Sequence, residues 1–376
     1  KEKTRVIKSR SKTRSFKQLR EIRQYYDNII IYAKFDNITI YQHIIDNIFY
    51  IFYYTIYSYF ISIVIFHKTK QILAFAYIQF KQNQPTVINY RERSFLMSFI
   101  EAIIMGLIQG IAEFLPISSS GHLVITEKLF NWGETQSADL FFDMILHLGT
   151  LIAVFIVFRK TIGELIICLF KTIGQIFTGK FRPKDATPTQ RMIGFLILSL
   201  LPLLLIVPFK DFIEDFFYNS LTAVGIALII NSVLLFACDR FKEGKKTSCS
   251  MRKRDALAIG AVQAIAVIPG ISRSGSTITA GVGMGIERSE AAKYSFILSI
   301  PTILAAVLLD VVDTVQAGEI NTDLFPQYAV GFIVSAVVGF LAIKLLQYIL
   351  KSKKFIIFSA YCLIVGITVT ALGFLI

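Results

Sequence analysis

Residues 106–125, GLIQGIAEFLPISSSGHLVI, carry Gln109, Glu113, the serines Ser118, Ser119 and Ser120, and His122 inside an otherwise apolar run. Gln109 and Glu113 are four residues apart, so on a helix they share a face and present oxygens side by side. Serines and glycines at a broken helix end expose hydroxyls and free backbone N–H groups beside a positive terminus, which suits an anion. A second run, residues 260–275, ends in PGISRSG, where Arg273 offers a planar fork of donors matched to phosphate. His122 is the only histidine in either run and can give or take a proton near neutral pH. A carboxylate for a divalent cation, a hydroxyl nucleophile, an imidazole and an arginine together make a phosphoryl-transfer set. A second reading makes Glu113 and Arg273 a structural ion pair clasping two parts of the chain, with the serines as helix-packing residues. A charge buried in a membrane costs at least about 2.5–3.5 kcal/mol, which argues against mere decoration. His147, in the middle of its own segment, reads as a structural histidine.

The elements that position these groups belong to a membrane protein. The 376 residues are 54% hydrophobic and 17% charged, with mean hydropathy +0.60, the composition of a polytopic chain rather than a soluble globule. Four single cysteines (Cys168, Cys238, Cys249, Cys362) lack CxxC spacing and so suggest neither a zinc site nor a disulfide framework. The net charge of +13 is unevenly spread: residues 1–96 hold 16 Lys/Arg against 6 Asp/Glu, none of the 22 glycines and 11 of the 16 tyrosines. No nucleic-acid partner is therefore expected. Residues 1–96 are expected to be an upstream extension or unrelated leader, with one hydrophobic stretch at Ile48–Phe66 long enough to cross a bilayer.

From Met97 onward, six uncharged runs read as spans: about 138–158, 191–208, 221–238, 291–312, 328–349 and 356–376. The run 161–178, broken by Glu164, Lys171 and two glycines, reads as an interfacial helix. Loops 159–191 and 239–254 and the turn at Lys351, Lys353 and Lys354 are basic and expected on the cytoplasmic side. The connections 209–220 and 313–327 are acidic and expected outside. Shifted by 154, GLIQGIAEFLPISSSG lies on GAVQAIAVIPGISRSG with eight identities in sixteen positions, which suggests a duplication. Each half, about 97–238 and 252–376, is then one interrupted stretch plus three spans. An odd number of spans inverts the second copy. The expected fold is all-α: six transmembrane helices plus two re-entrant helical hairpins in an inverted-topology repeat, with Pro116, Gly121, Pro269, Gly270 and Gly275 breaking the tips.

QGIAEFLPISSSGH followed by PGISRSGST resembles the two signature motifs of the undecaprenyl-diphosphatases, the bacitracin-resistance family of bacterial inner-membrane enzymes, over essentially Met97 to Ile376. The resemblance implies hydrolysis of undecaprenyl diphosphate to the monophosphate and phosphate, recycling the lipid carrier for peptidoglycan and conferring bacitracin resistance. It also implies dependence on Mg2+ or Ca2+, a polyprenyl diphosphate substrate reached from the bilayer, a homodimer as an allowed assembly, and a multi-pass protein of the inner (plasma) membrane with its site facing outward. Carried over residue by residue, it places the cation on Glu113 and Gln109, the nucleophile on Ser119 and the histidine on His122. Phosphate binding falls on Ser272, Arg273, Ser274 and Thr277, with Ser118, Ser120 and Gly270 beside them. Gln109 stands where some members have Glu, which shifts the metal's charge onto Glu113. The principal alternative is a secondary transporter or flippase, which also uses inverted repeats and broken helices. A haloperoxidase-like lipid phosphatase needs a second histidine after an arginine motif, and none follows His147.

Overall fold

Helix breaks decide the architecture. The computed structural model describes residues 99–130, 132, 136–242, 244–317, 322–352 and 354–375. The leader and its hydrophobic stretch at 48–66 lie outside the described residues. Among the described residues eleven α-helices follow one another: α1 (Phe99–Phe114), α2 (Ser119–Phe130), α3 (Gln136–Phe177), α4 (Pro188–Leu204), α5 (Lys210–Asn219), α6 (Leu221–Arg240), α7 (Lys253–Ile265), α8 (Arg273–Gly283), α9 (Arg288–Ala317), α10 (Phe325–Ser352) and α11 (Ile356–Gly373). Among the described residues the only β pairing is an isolated bridge between Lys246 and Ile286. The protein is all-α, as expected.

Among the described residues six helical segments are long and apolar enough to cross a membrane: Phe141–Phe177, Pro188–Asn219, Leu221–Arg240, Arg288–Val312, Phe325–Lys351 and Ile356–Gly373. They coincide with the six expected runs, with two additions. The run 161–178 follows a kink at Phe158 (φ −105°, ψ 19°), the residue at which the expected first span ends, so a distinct helical stretch begins there. The acidic connection after α4 contains the helix α5, amphipathic by its phenylalanines and aspartates. Ile333, Val337 and Leu341, four apart on α10, are each more than half exposed. Such an outward apolar stripe suits lipid.

The remaining helices come in two short pairs. α1 and α2 have 16 and 12 residues, α7 and α8 have 13 and 11, and none reaches the roughly 20 residues a span needs. Pro116 interrupts the first pair. In the second, Pro269 and Gly270 precede Ser272, whose hydroxyl accepts from Gly275 N at 3.1 Å and so caps α8. Packing exchanges partners between the halves: α1 lies along α10, α7 lies along α4, and α6 packs on α11. The α6–α11 contact is close because Gly225 and Gly366 face each other; a Cβ on Gly366 would lie 2.8 Å from the Gly225 carbonyl. Phe114 meets Phe296 of α9 edge to face at 5.5 Å, fastening the end of α1 against the second half. α3 packs on α10 much more extensively than α4 does on α9.

Candidate active site

The two breaks touch. Ser118, in the first, adopts φ +73°, a left-handed conformation uncommon outside glycine and typical of strained functional turns. That turn aims its hydroxyl at two backbone amides: Gly121 N donates to Ser118 Oγ at 3.3 Å and Gly270 N, from the other break, at 3.1 Å. Gly270 itself sits at φ +102°, and a Cβ on Gly121 would come within 2.9 Å of its Cα. Only glycines permit this approach.

The contact brings the charged groups together. Glu113, at the end of α1, is 5% exposed. One carboxylate oxygen pairs with Arg273 Nη2. The other accepts from Ser119 Oγ at 2.7 Å and from Gln109 Nε2 at 3.2 Å, with His147 Nε2 at 3.8 Å. An ion pair across the breaks therefore exists, as the structural reading expected, but it is not closed off. Arg273 Nη1 has no hydrogen-bond partner, and Glu113 and Arg273 both line a cavity of about 530 Å³. The expected site residues divide here. Glu113, Ser118, Ser119, Ser120, Ser272 and Arg273 line the cavity. Gln109, His122, Gly270, Ser274 and Thr277 do not and stand behind it. Ser274 Oγ is 3.2 Å from Ser272 Oγ, and Thr277 Oγ1 donates to Arg273 O at 2.8 Å and lies 2.6 Å from Ser295 Oγ.

The two histidines sit differently with respect to the cavity, which His147 lines and His122 does not. His122 has Nδ1 2.7 Å from the Ser118 carbonyl and Nε2 2.7 Å from Tyr361 Oη, with the rings stacked. Both nitrogens are thus engaged by the protein, and the ring buttresses the serine turn. His147 lies on the cavity wall beside Glu113, with Nδ1 2.8 Å from the Asp143 carbonyl, which leaves Nε2 facing the carboxylate. Its lack of a counterpart in the second half concealed this from sequence, because the neighbour that matters lies on another helix.

The rest of the wall has two characters. Leu203 of α4 and Ile303, Ala306 and Val307 of α9 make an apolar side, where those two helices scarcely meet. Asp211, Asp215 and Tyr218 of α5, with Asp143 and Asp310, make a polar rim. Asn231 of α6, fully buried, joins the backs of the two breaks. Its visible signal was a lone amide in an apolar span.

For a divalent cation the fit is that of a substrate-carried ion. Among the described residues no three His, Cys, Asp or Glu side chains converge to hold one. Glu113 does lie beside Gln109, whose Oε1 is buried without a hydrogen-bond partner. Mg2+ commonly takes one or two protein carboxylates and completes its shell with water and substrate phosphate oxygens; Glu113 supplies one such carboxylate on the cavity, with Gln109 Nε2 bonded to it from behind.

Known proteins resemble this chain over most of its length. Residues 102–368 match the family model described as bacitracin resistance protein BacA. The chain is 40% identical over 276 residues to an undecaprenyl-diphosphatase of Methanosphaera stadtmanae, covering 72% of this chain and 97% of that protein. It is 38% identical over 279 residues to one of Carboxydothermus hydrogenoformans (73% and 98%) and 38% identical over 276 to one of Bacteroides thetaiotaomicron (73% and 98%). With both motif runs inside the matched region and their side chains gathered at one cavity, the chain belongs to the BacA bacitracin resistance family.

Proposed function

We propose that the protein is a membrane phosphatase that hydrolyses undecaprenyl diphosphate to undecaprenyl phosphate and phosphate, thereby returning the lipid carrier to wall synthesis and conferring bacitracin resistance. The observation that carries this is the meeting of Ser119, Glu113 and Arg273, from two separate helix breaks, on a cavity whose other wall is apolar. A diphosphate head fits the first, a prenyl tail the second.

Ser119 donates to Glu113, the arrangement of a nucleophile beside its base. Its oxygen attacks the terminal phosphorus in line, the bond to the bridging oxygen breaks, and undecaprenyl phosphate leaves with that oxygen while the Ser119 proton passes to Glu113. Water then cleaves the phosphoserine, releasing phosphate and restoring the hydroxyl. Arg273, whose Nη1 has no hydrogen-bond partner, and the amides at the start of α2 would stabilise the phosphoryl oxygens, where charge builds up. His122 keeps Ser119 in register through the Ser118 carbonyl. Gln109 and Glu113 would hold Mg2+ or Ca2+, which when bound would neutralise diphosphate charge.

The cavity rim carries Asp211 and Asp215 of the acidic connection, remote in sequence from the basic loops. The charge asymmetry supports a site facing the outer side of the inner membrane. Phosphate release from undecaprenyl or farnesyl diphosphate by the purified protein, with and without divalent metal, tests the proposal. A transporter or flippase would release none.

A further inference from the structure

Asn231 occupies the middle of α6, a membrane span, with no exposure. A primary amide is costly there unless its hydrogen-bonding capacity is used. Asn231 uses both ends. Its Nδ2 donates to the Pro116 carbonyl at 3.1 Å and toward Cys362 Sγ at 3.4 Å, while Oδ1 accepts from Ser272 N at 3.1 Å. The Pro116 carbonyl and the Ser272 N–H are backbone groups that the two helix breaks leave without helical partners. One side chain thus satisfies a backbone group from each half of the molecule.

The position of those groups gives the contact its meaning. Pro116 is three residues before Ser119, and Ser272 immediately precedes Arg273. The breaks are also tied directly by Gly270 N to Ser118 Oγ at 3.1 Å and by the Glu113–Arg273 ion pair, both on the reacting side. Asn231 adds a tie at the back, bonding backbone rather than side chain on each break, and so fixes the orientation of the two loops independently of the reacting groups.

We propose that Asn231 is a positioning residue for the hydrolysis, setting the placement of Ser119 and Glu113 relative to Arg273 without touching substrate. It does not line the cavity, so its removal leaves the binding surface chemically unchanged. The proposal rests on the hydrolase reading above. Phosphoryl transfer depends on in-line placement, and errors of about 1 Å cost on the order of 100-fold in rate.

The test uses the full chain in detergent, with undecaprenyl diphosphate, comparing wild type with Asn231→Leu, Asn231→Ala and Asn231→Asp. A buried neutral carboxylic acid offers one O–H donor and one carbonyl acceptor, enough to keep the Pro116 and Ser272 contacts and lose only the one to Cys362. Asn231→Asp is therefore expected to keep kcat within about threefold of wild type. Asn231→Leu and Asn231→Ala are expected to lose kcat by about 10- to 100-fold with KM within about threefold. If Asn231→Leu fails to fold, Asn231→Ala against Asn231→Asp carries the same comparison. The proposal is overturned if Leu and Ala keep kcat within twofold of wild type. It is equally overturned if Asp is as impaired as Leu, or if the losses track lowered melting temperature and vanish on cooling. A wild-type protein that releases no phosphate would sink the hydrolase reading instead, which separates the two failures.

Discussion

Arg273 and Glu113 divide the work of the site unequally, and substitutions should reveal it. On the proposed mechanism Arg273→Ala removes the donor assigned to the phosphoryl oxygens, and it also strands a carboxylate that is 5% exposed. Losing a comparable oxyanion donor costs about 100- to 1,000-fold in kcat, and that is the expected loss in a phosphate-release assay. Arg273→Lys should recover little of it, because an ammonium cannot pair with Glu113 and face the cavity at once. Ser119→Ala should abolish turnover, and no phosphoserine should form when labelled diphosphate is mixed with it, whereas wild type should be trapped on quenching. A wild type that turns over with no label ever retained would favour direct attack by water. His122→Ala is expected to impair the enzyme by freeing the Ser118 carbonyl rather than by removing a proton carrier. The paired motifs, including Glu113, Ser119 and Arg273, were legible in the sequence because each is a costly residue in an apolar run. The cavity-facing place of His147 was not, since it depends on how α3 leans against α1.

Short helices that end inside the protein need a reason to end and something to hold their free backbone groups. Pro116, Pro269 and Gly270 supply the endings, and these were readable because proline and glycine act locally. What holds the endings was not readable: Asn231 stands more than a hundred residues from Pro116, and Tyr361 farther still from His122. The kink at Phe158, by contrast, falls where the expected first span ends, just before Arg159 and Lys160. The contact between breaks makes its own prediction. In Gly270→Ala the added methyl meets Ala227 Cβ at 2.6 Å at a φ of +102°. Clash and backbone strain together should destabilise the protein by about 2–4 kcal/mol. Thermal unfolding in detergent should show a lower melting temperature, with activity lost even below it because the breaks can no longer meet. An alanine that melted and turned over like wild type would mean that this close approach is not needed.

At the scale of the whole molecule, the exchange of partners between halves explains why a site can form at all. α1 lies along α10 and α7 along α4, so each half's broken helix is held by the other half and the two breaks are driven toward the same depth. The arrangement fixes which side the cavity faces once the loops are assigned. Lys184, in the basic connection before α4, and Asn219, at the end of α5, are both exposed and belong to connections of opposite charge. On the proposed orientation the first lies in the cytoplasm and the second outside. In a background with Cys168 and Cys249 replaced, the two free cysteines that are not buried, a membrane-impermeant maleimide should label Asn219→Cys in intact cells. It should label Lys184→Cys only after the membrane is opened. Because Asp211 and Asp215 share α5 with Asn219 and line the cavity, the same experiment reports the face on which diphosphate is received. Labelling of Lys184→Cys alone in intact cells would turn the protein over and require the substrate to arrive from the cytoplasm.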